Sequence, residues 1–181
     1  MIRIKRKRNP TNPLGGSLLI LDLDETLVYV DSPMYFRDNL RKTKIDFEFN
    51  LGFENQYVGS IRPYFTEFLK YFSKYFDLAI WSKGSYFYVM NVYQSIIPHS
   101  IKLKFVYSKD DLIKGKKDVD FIVKKFKYDK ENIFVLDDVK EYWVNYDPNN
   151  FWLIKPYLGY KNDDQLKQLI QKFEFETGNY Q

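Results

Sequence analysis

The chain has 181 residues, of which 45% are hydrophobic and 29% are charged, and this excludes a protein that is disordered throughout. It has no cysteine and one histidine, which excludes disulfides, zinc–thiolate sites, iron–sulfur clusters, cysteine nucleophiles and multi-histidine metal sites. We interpret the histidine, His99, as a surface or turn residue because it follows Pro98.

The net charge of +4 is concentrated at the N-terminus. Without five basic residues that precede residue 9, the chain carries 23 basic and 24 acidic residues. We therefore predict a basic tail at residues 1–16 and one folded domain at residues 17–181. Such a tail suits nucleic-acid contact or nuclear import, and equally a solvated terminus. The five residues are Arg3, Lys5, Arg6, Lys7 and Arg8.

The first predicted element is a buried strand at Ser17–Leu21, an apolar run of the kind that parallel sheets cover on both faces. It is interrupted at once by acids, so we predict neither a secretory signal nor a membrane span. We expect an intracellular protein, nuclear or cytoplasmic, and a monomer. The stretch Val28–Ser60 does not follow the pattern of apolar strands and helices found elsewhere in the chain. Within it, the alternation of apolar and polar residues at Ile45–Phe49 predicts a small antiparallel β insertion.

After Arg62-Pro63, an apolar stripe at helical spacing predicts a helix, since proline is favoured at a helix start. Strands are then predicted at Asp77–Ser82 and Ile133–Leu136, and helices at Tyr86–Ile97 and Asp118–Phe126. This alternation predicts an α/β fold with a mostly parallel sheet flanked by helices. The stripe is Phe65, Phe68, Leu69, Phe72 and Phe76, and a C-terminal helix carries Leu166, Leu169, Ile170 and Phe173.

Two acids, Asp22 and Asp24, end the first predicted strand, and they share a side if the strand continues through both. Neighbouring carboxylates repel unless a cation lies between them or one is protonated. In a chain with this composition the cation would be a hard, oxygen-ligated ion such as Mg²⁺. On these residues alone, a purely structural pair of strand-end aspartates stays open.

The sequence DLDET at residues 22–26 resembles the first motif of the haloacid-dehalogenase superfamily of phosphotransferases. Three further motifs follow in the order expected of that superfamily, which is more specific than one motif alone. The resemblance implies a haloacid-dehalogenase-like Rossmannoid fold. The further motif residues are Ser82 in DLAIWSKG, Lys117 in KGKKDVDFI, and Asp137 with Asp138 in NIFVLDD.

The resemblance also implies a role for each residue. Asp22 would attack phosphorus to form an aspartyl-phosphate, and Asp24 would act as general acid and base. Thr26 would hold the loop by local hydrogen bonds, Ser82 would hydrogen-bond the phosphoryl group, and Lys117 would neutralise its charge.

A Mg²⁺ cofactor is implied by the same resemblance. Its ligands would be the Asp22 carboxylate, the Asp24 main-chain carbonyl, and one or both of Asp137 and Asp138. The chain contains no GxxxxGK[ST] sequence, so no nucleotide-binding P-loop is expected.

In detail, the order DLDETLV, IRPYFTEFL, WSKG, KKD and VLDD is similar to the small CTD phosphatases, the TFIIF-associating or NLI-interacting-factor-like family. The similarity runs from about Ser17 to Phe173. The chain departs from the family where residues 81–84 read WSKG in place of FTAS, and where residues 137–140 read DDVK in place of DDSP or DNSP. Lys116 beside Lys117 leaves open which lysine is catalytic.

The resemblance implies a hydrolase, a Mg²⁺-dependent phosphoserine and phosphothreonine protein phosphatase, with the RNA polymerase II tail as one candidate substrate. Two alternatives stay open. A polynucleotide 3′-phosphatase would use the basic tail to bind nucleic acid, although the rest of the chain is nearly neutral. A non-catalytic peptide-binding relative, as in a mitochondrial translocase, is disfavoured because the motif acids, serine and lysine are all retained.

Overall fold

The structure is a computed structural model that describes residues 16–38, 44–52 and 55–178. The basic residues of the predicted tail lie outside the described residues. Among the helices of the described residues, none combines the length and apolar character that crossing a membrane requires.

A five-stranded parallel sheet forms the centre of the fold, with strand order β10-β8-β1-β5-β6. The central strand β1 is buried at every position because the sheet is covered on both faces. The three predicted buried strands are therefore confirmed, whereas β6 and β10 were not predicted. The strands are β1 Leu18–Leu21, β5 Asp77–Trp81, β6 Leu103–Tyr107, β8 Ile133–Asp137 and β10 Phe151–Leu153.

Helices cover the sheet on both faces, as the alternation of strands and helices predicted. Side chains of β1 alternate between two cores: Leu19 and Leu21 lie in one, Leu18 and Ile20 in the other. The first core includes residues of α2, α3 and α5, and the second includes residues of α4. The helices are α2 Phe65–Phe72, α3 Tyr86–Ile96, α4 Val119–Phe126 and α5 Gln165–Thr177.

The helix α2 is shorter than its apolar stripe predicted. The stripe includes Phe76, but the helix ends at Phe72, and the Ser73 hydroxyl donates to the carbonyl of Lys70 at 3.1 Å. A local hydrogen bond of this kind competes with continued helix. Phe76 still packs in the core, with its ring centroid 5.2 Å from that of Phe134.

The predicted β insertion is confirmed as a three-stranded antiparallel sheet of order β2-β4-β3, with a short helix after its first strand. Gly59 on β4 is required there because a Cβ atom at this position would lie 2.1 Å from the ring of Phe47. The elements are β2 Val28–Asp31, α1 Pro33–Asp38, β3 Phe47–Leu51 and β4 Asn55–Ile61.

Candidate active site

The predicted site residues meet at the edge of the sheet where β1, β5 and β8 end. The three strands are neighbours and parallel, so the loops that follow them leave the sheet side by side. The backbone N–H of Asp22 donates to the carbonyl of Leu136 at 3.0 Å, and that of Ser82 donates to the carbonyl of Tyr107 at 3.0 Å. These bonds fix the first residue of each loop against the next strand.

Lys117 is fully buried between two carboxylates. Its Nζ lies 2.5 Å from Asp22 Oδ1 and 2.7 Å from Asp137 Oδ2. Burial disfavours the charged ammonium, but the two carboxylates outweigh burial and raise the pKa of Lys117. Burial also raises the pKa of Asp22, and the ammonium opposes that shift. Lys117 is therefore a fixed positive charge against the predicted nucleophile.

A two-stranded parallel ladder places this lysine. Strand β7, Lys117–Asp118, pairs with β9, Trp143–Val144. The indole N–H of Trp143 donates to Asp137 Oδ2 at 2.7 Å, and the Lys117 ammonium lies 5.0 Å from the Trp143 ring centroid. Sequence analysis missed Trp143, although it follows the acidic pair by only a few residues.

Lys116 does not reach the carboxylates. Its exposed side chain donates to the carbonyl of Glu141 at 2.8 Å. Side chains alternate along the short strand, so only one of two consecutive lysines faces the acids. The geometry therefore places Lys117, rather than Lys116, at the position that the sequence motif requires.

The chain turns sharply just after Asp24, the second aspartate of the DLDET motif. Strand β1 ends at Leu21, and Glu25 has a positive φ of 59°. The carbonyl of Leu23 accepts from the N–H groups of Leu27 at 2.8 Å and Val28 at 3.0 Å. Strand β1 therefore does not continue through Asp22 and Asp24, so the condition under which the two would share a side of the strand is not met.

Asp24 instead faces the loop after β5 and helix α3. The Ser82 hydroxyl donates to Asp24 Oδ2 at 3.2 Å, and the Tyr88 hydroxyl donates to Asp24 Oδ1. Burial raises the pKa of Asp24, and the two hydrogen bonds oppose that shift. The backbone N–H of Gly84 donates to Ser82 Oγ at 2.9 Å, which fixes the serine. The sequence did not indicate Tyr88 as a site residue, because it lies inside the predicted helix Tyr86–Ile97 and outside the motifs.

We expect Tyr88→Phe to lower kcat for a small phosphate ester by about tenfold, the size of effect expected from losing one buried hydrogen bond. The phenyl ring keeps the packing of Tyr88 against Phe49 and Tyr57. Steady-state kinetics with para-nitrophenyl phosphate measure the effect. An unchanged kcat would show that Asp24 does not depend on this bond.

Thr26 joins the first motif to the last. Its hydroxyl donates to Asp138 Oδ1 at 3.0 Å and accepts from the Asp138 backbone N–H at 3.1 Å. These groups are 112 residues apart in sequence, so the Thr26 hydroxyl bonds across the site, whereas the resemblance implied local hydrogen bonds within the loop. The paired bonds hold the Asp138 carboxylate near Asp22.

Arg62 also holds the loop of the DLDET motif in place. It is buried, and it donates to the carbonyls of Thr26 at 2.9 Å and Lys155 at 2.8 Å. It also forms a two-bonded ion pair with Asp163, at 2.8 and 2.9 Å. The sequence indicated this arginine as part of a family motif and of a helix start, but not its contacts, since its partners are distant in sequence.

Three carboxylates could hold a divalent metal. Each of Asp22, Asp137 and Asp138 offers an oxygen, and these oxygens all lie within 4.8 Å of one another. Against the single ammonium of Lys117, the three carboxylates leave a formal charge of −2. Hard oxygen donors with that charge fit Mg²⁺. The Asp24 carboxylate does not belong to this group, which leaves its main-chain carbonyl as the predicted ligand.

A comparison with protein families decides the class of this site. The model of the NLI interacting factor-like phosphatase family matches residues 17–180. The chain belongs to this family. The resemblance that the motifs indicated is confirmed, and family and fold together make the chain a phosphoester hydrolase of the haloacid-dehalogenase type.

Two curated relatives are similar over most of this chain. A CTD phosphatase-like protein of Invertebrate iridescent virus 6 is 28% identical over 175 residues, which covers 86% of this chain and 94% of the relative. An RNA polymerase II C-terminal domain phosphatase of Encephalitozoon cuniculi is 25% identical over 164 residues. That match covers 86% of this chain and 36% of the relative.

Among solved structures, Fcp1, an essential RNA polymerase II CTD phosphatase, is similar to this chain with a TM-score of 0.61. The two are 24% identical, and the match covers 88% of this chain and 49% of that one. At this identity the likeness concerns the fold. It confirms the predicted haloacid-dehalogenase-like architecture, and it shows that this chain spans about half of the solved one.

Proposed function

We propose that this chain is a Mg²⁺-dependent phosphoprotein phosphatase that acts on phosphoserine and phosphothreonine through an aspartyl-phosphate at Asp22. One observation carries the proposal: an oxygen of buried Asp22 lies 2.5 Å from the Lys117 ammonium and beside the carboxylates of Asp137 and Asp138. A carboxylate with a fixed cation and two further acids suits attack on a phosphate dianion.

In the first step, Asp22 attacks phosphorus, the ester P–O bond breaks, and Asp24 gives its proton to the leaving oxygen. In the second step, Asp24 takes a proton from water, the water oxygen attacks phosphorus, and the Asp22 carboxylate leaves with its electron pair. Ser82 and Lys117 stabilise the phosphoryl oxygens. A Mg²⁺ ion held by Asp22, the Asp24 carbonyl, and Asp137 or Asp138 would reduce the repulsion between nucleophile and phosphate.

The surroundings of Asp24 support its role. A general acid must hold a proton when the leaving group departs, and burial favours the protonated carboxyl. The Tyr88 and Ser82 hydroxyls keep that carboxyl in one orientation. The opposite surroundings of the two aspartates, a cation beside Asp22 and hydroxyls beside Asp24, support two different roles.

The substrate we propose is a phosphorylated protein segment such as the RNA polymerase II tail. Support comes from the relative of Encephalitozoon cuniculi and from Fcp1, both named as phosphatases of that polymerase's C-terminal domain. Such a substrate would place the protein in the nucleus, and any other phosphoprotein would allow a cytoplasmic location.

The test is hydrolysis of para-nitrophenyl phosphate with Mg²⁺ and after EDTA treatment, followed by a comparison of phosphopeptides with a 3′-phosphorylated oligonucleotide. We expect EDTA to lower the rate at least about 100-fold, because the cluster then carries uncompensated negative charge. Restoring Mg²⁺ should restore the rate. Rates that EDTA leaves unchanged would contradict the metal dependence, and faster turnover of the oligonucleotide would favour a polynucleotide 3′-phosphatase.

A further inference from the structure

A lysine and a tyrosine from two separate loops stack at the site. The ammonium of Lys83 lies 3.5 Å from the ring centroid of Tyr142. Lys83 directly follows Ser82, and Tyr142 directly precedes Trp143. Their loops follow β5 and β8, which flank the central strand β1 on its two sides. The contact therefore connects the two loops between which a substrate phosphate would lie.

The ammonium of Lys83 is available to a ligand. The side chain is exposed, and the ion pairs among residues 16–38, 44–52 and 55–178 do not include it. A tyrosine ring covers one side of an ammonium and leaves N–H donors for another partner.

A second ammonium contacts the same loop as Lys83. The Lys116 ammonium donates to the carbonyl of Glu141, the residue before Tyr142. Two ammonium groups thus contact adjacent residues of one loop, one at the ring of Tyr142 and one at the preceding carbonyl. The Asp22 and Asp137 carboxylates are buried around Lys117, whereas the Lys83 and Lys116 side chains are exposed at the rim, where Glu141 is exposed too.

We propose that Lys83, held by Tyr142, binds a second anionic group of the substrate, located beside the phosphorylated residue. The preferred substrate is then an acidic phosphopeptide, with a second phosphate or a carboxylate side chain as the added anion. This inference rests on the proposed function, and it names the charge pattern that the enzyme selects. Lys83 is a specificity residue, because the reaction itself uses Lys117.

The experiment compares wild type with Lys83→Gln on three phosphopeptides that differ in one neighbouring residue, which is alanine, glutamate or phosphoserine. We expect wild type to favour the two acidic peptides, and Lys83→Gln to lower their kcat/KM about three- to fivefold at low salt. The difference should shrink as salt is added. Turnover of the alanine peptide and of para-nitrophenyl phosphate should stay unchanged. A larger loss with phosphoserine than with glutamate would identify the phosphate as the better ligand.

Matched variants separate the charge of Lys83 from general effects. Lys102→Gln removes the same charge from an exposed lysine just before β6, at the amino ends of the parallel strands and away from the site. This variant should leave kcat/KM for all three peptides unchanged. Tyr142→Phe keeps the ring and should keep the preference, whereas Tyr142→Leu should weaken it. The same peptides are titrated calorimetrically into Asp22→Asn protein, so that binding is measured even without turnover.

Three results would overturn the proposal. If the wild type turned over and bound the three peptides equally well, there would be no second anion site. Equal losses on every substrate with Lys83→Gln would make the Lys83–Tyr142 contact structural. If Lys83→Gln lowered turnover of a 3′-phosphorylated oligonucleotide but of none of the peptides, the ligand of Lys83 would be a nucleic acid. If the wild type had no phosphatase activity but still bound the acidic peptides through Lys83, only the proposed function would be rejected, and the anion site would stand.

Discussion

Asp22→Asn is expected to lower kcat for para-nitrophenyl phosphate by roughly 10⁴-fold, the size of effect seen when an enzyme loses a member of its catalytic group. Asparagine keeps the shape of the side chain but offers no anionic oxygen to attack phosphorus. It also removes one of the three carboxylates grouped with Asp137 and Asp138. Stopped assays with saturating Mg²⁺ measure the rate. The matched control is Asp164→Asn, which changes an exposed aspartate at the N-cap of α5.

The fold should tolerate this substitution. Asparagine removes one of three mutually repelling carboxylates, and the Lys117 ammonium keeps Asp137 as a partner. We expect the Tm of Asp22→Asn to equal or exceed that of wild type, as is common where a functional residue strains the fold. Retained activity would contradict the role of Asp22. A large fall in Tm would attribute the loss of activity to unfolding.

Lys117→Met is expected to cost about 3–5 kcal/mol of unfolding free energy, because it leaves buried carboxylates without their cation. Asp22 and Asp137 both lie within 2.7 Å of the Lys117 ammonium. The activity should fall by roughly 10²–10³-fold, the effect of removing one group that stabilises the transferred phosphoryl oxygens. Both losses have one origin, since the same ammonium balances the acids at rest and the phosphate in the reaction.

Lys116→Met is the matched control, because it removes the same charge from the adjacent position. Its exposed side chain donates to the carbonyl of Glu141, so the expected change in unfolding free energy is within about 0.5 kcal/mol. Urea unfolding in EDTA and in Mg²⁺ measures both variants. Mg²⁺ should recover part of the stability of Lys117→Met, since it also balances the acids. If Lys116→Met lost the activity instead, our assignment of the catalytic lysine would be wrong.

The sheet was predictable where a strand is apolar throughout, as in β1, where all four side chains are buried. Strand β6 was missed because exposed Lys104 interrupts its apolar pattern, and β10 because it has three residues at the sheet edge. Pairing with a neighbour stabilises such strands, and pairing is not visible in local composition. The early end of α2 was missed because its apolar stripe continues beyond the helix.

The site was predictable where its residues belong to contiguous motifs at strand ends. The supporting residues were not, because their roles depend on partners distant in sequence: Tyr88 is 64 residues from Asp24, and Arg62 is 101 residues from Asp163. The sequence placed Tyr88 in a predicted helix, and only its contact with Asp24 shows the role. Trp143 is closer to its partner, but a tryptophan alone does not reveal a hydrogen bond to a carboxylate.

The most direct test of the account is to locate the phosphorylated residue itself. Protein mixed with para-nitrophenyl phosphate and Mg²⁺ is quenched during turnover and treated with borohydride, which reduces an acyl phosphate to an alcohol. Peptide mass spectrometry then finds the modified position. We predict conversion of Asp22 to homoserine, in wild type only and only when substrate is present. An active enzyme that shows modification at another residue, such as Ser82 or Asp24, would contradict the central claim.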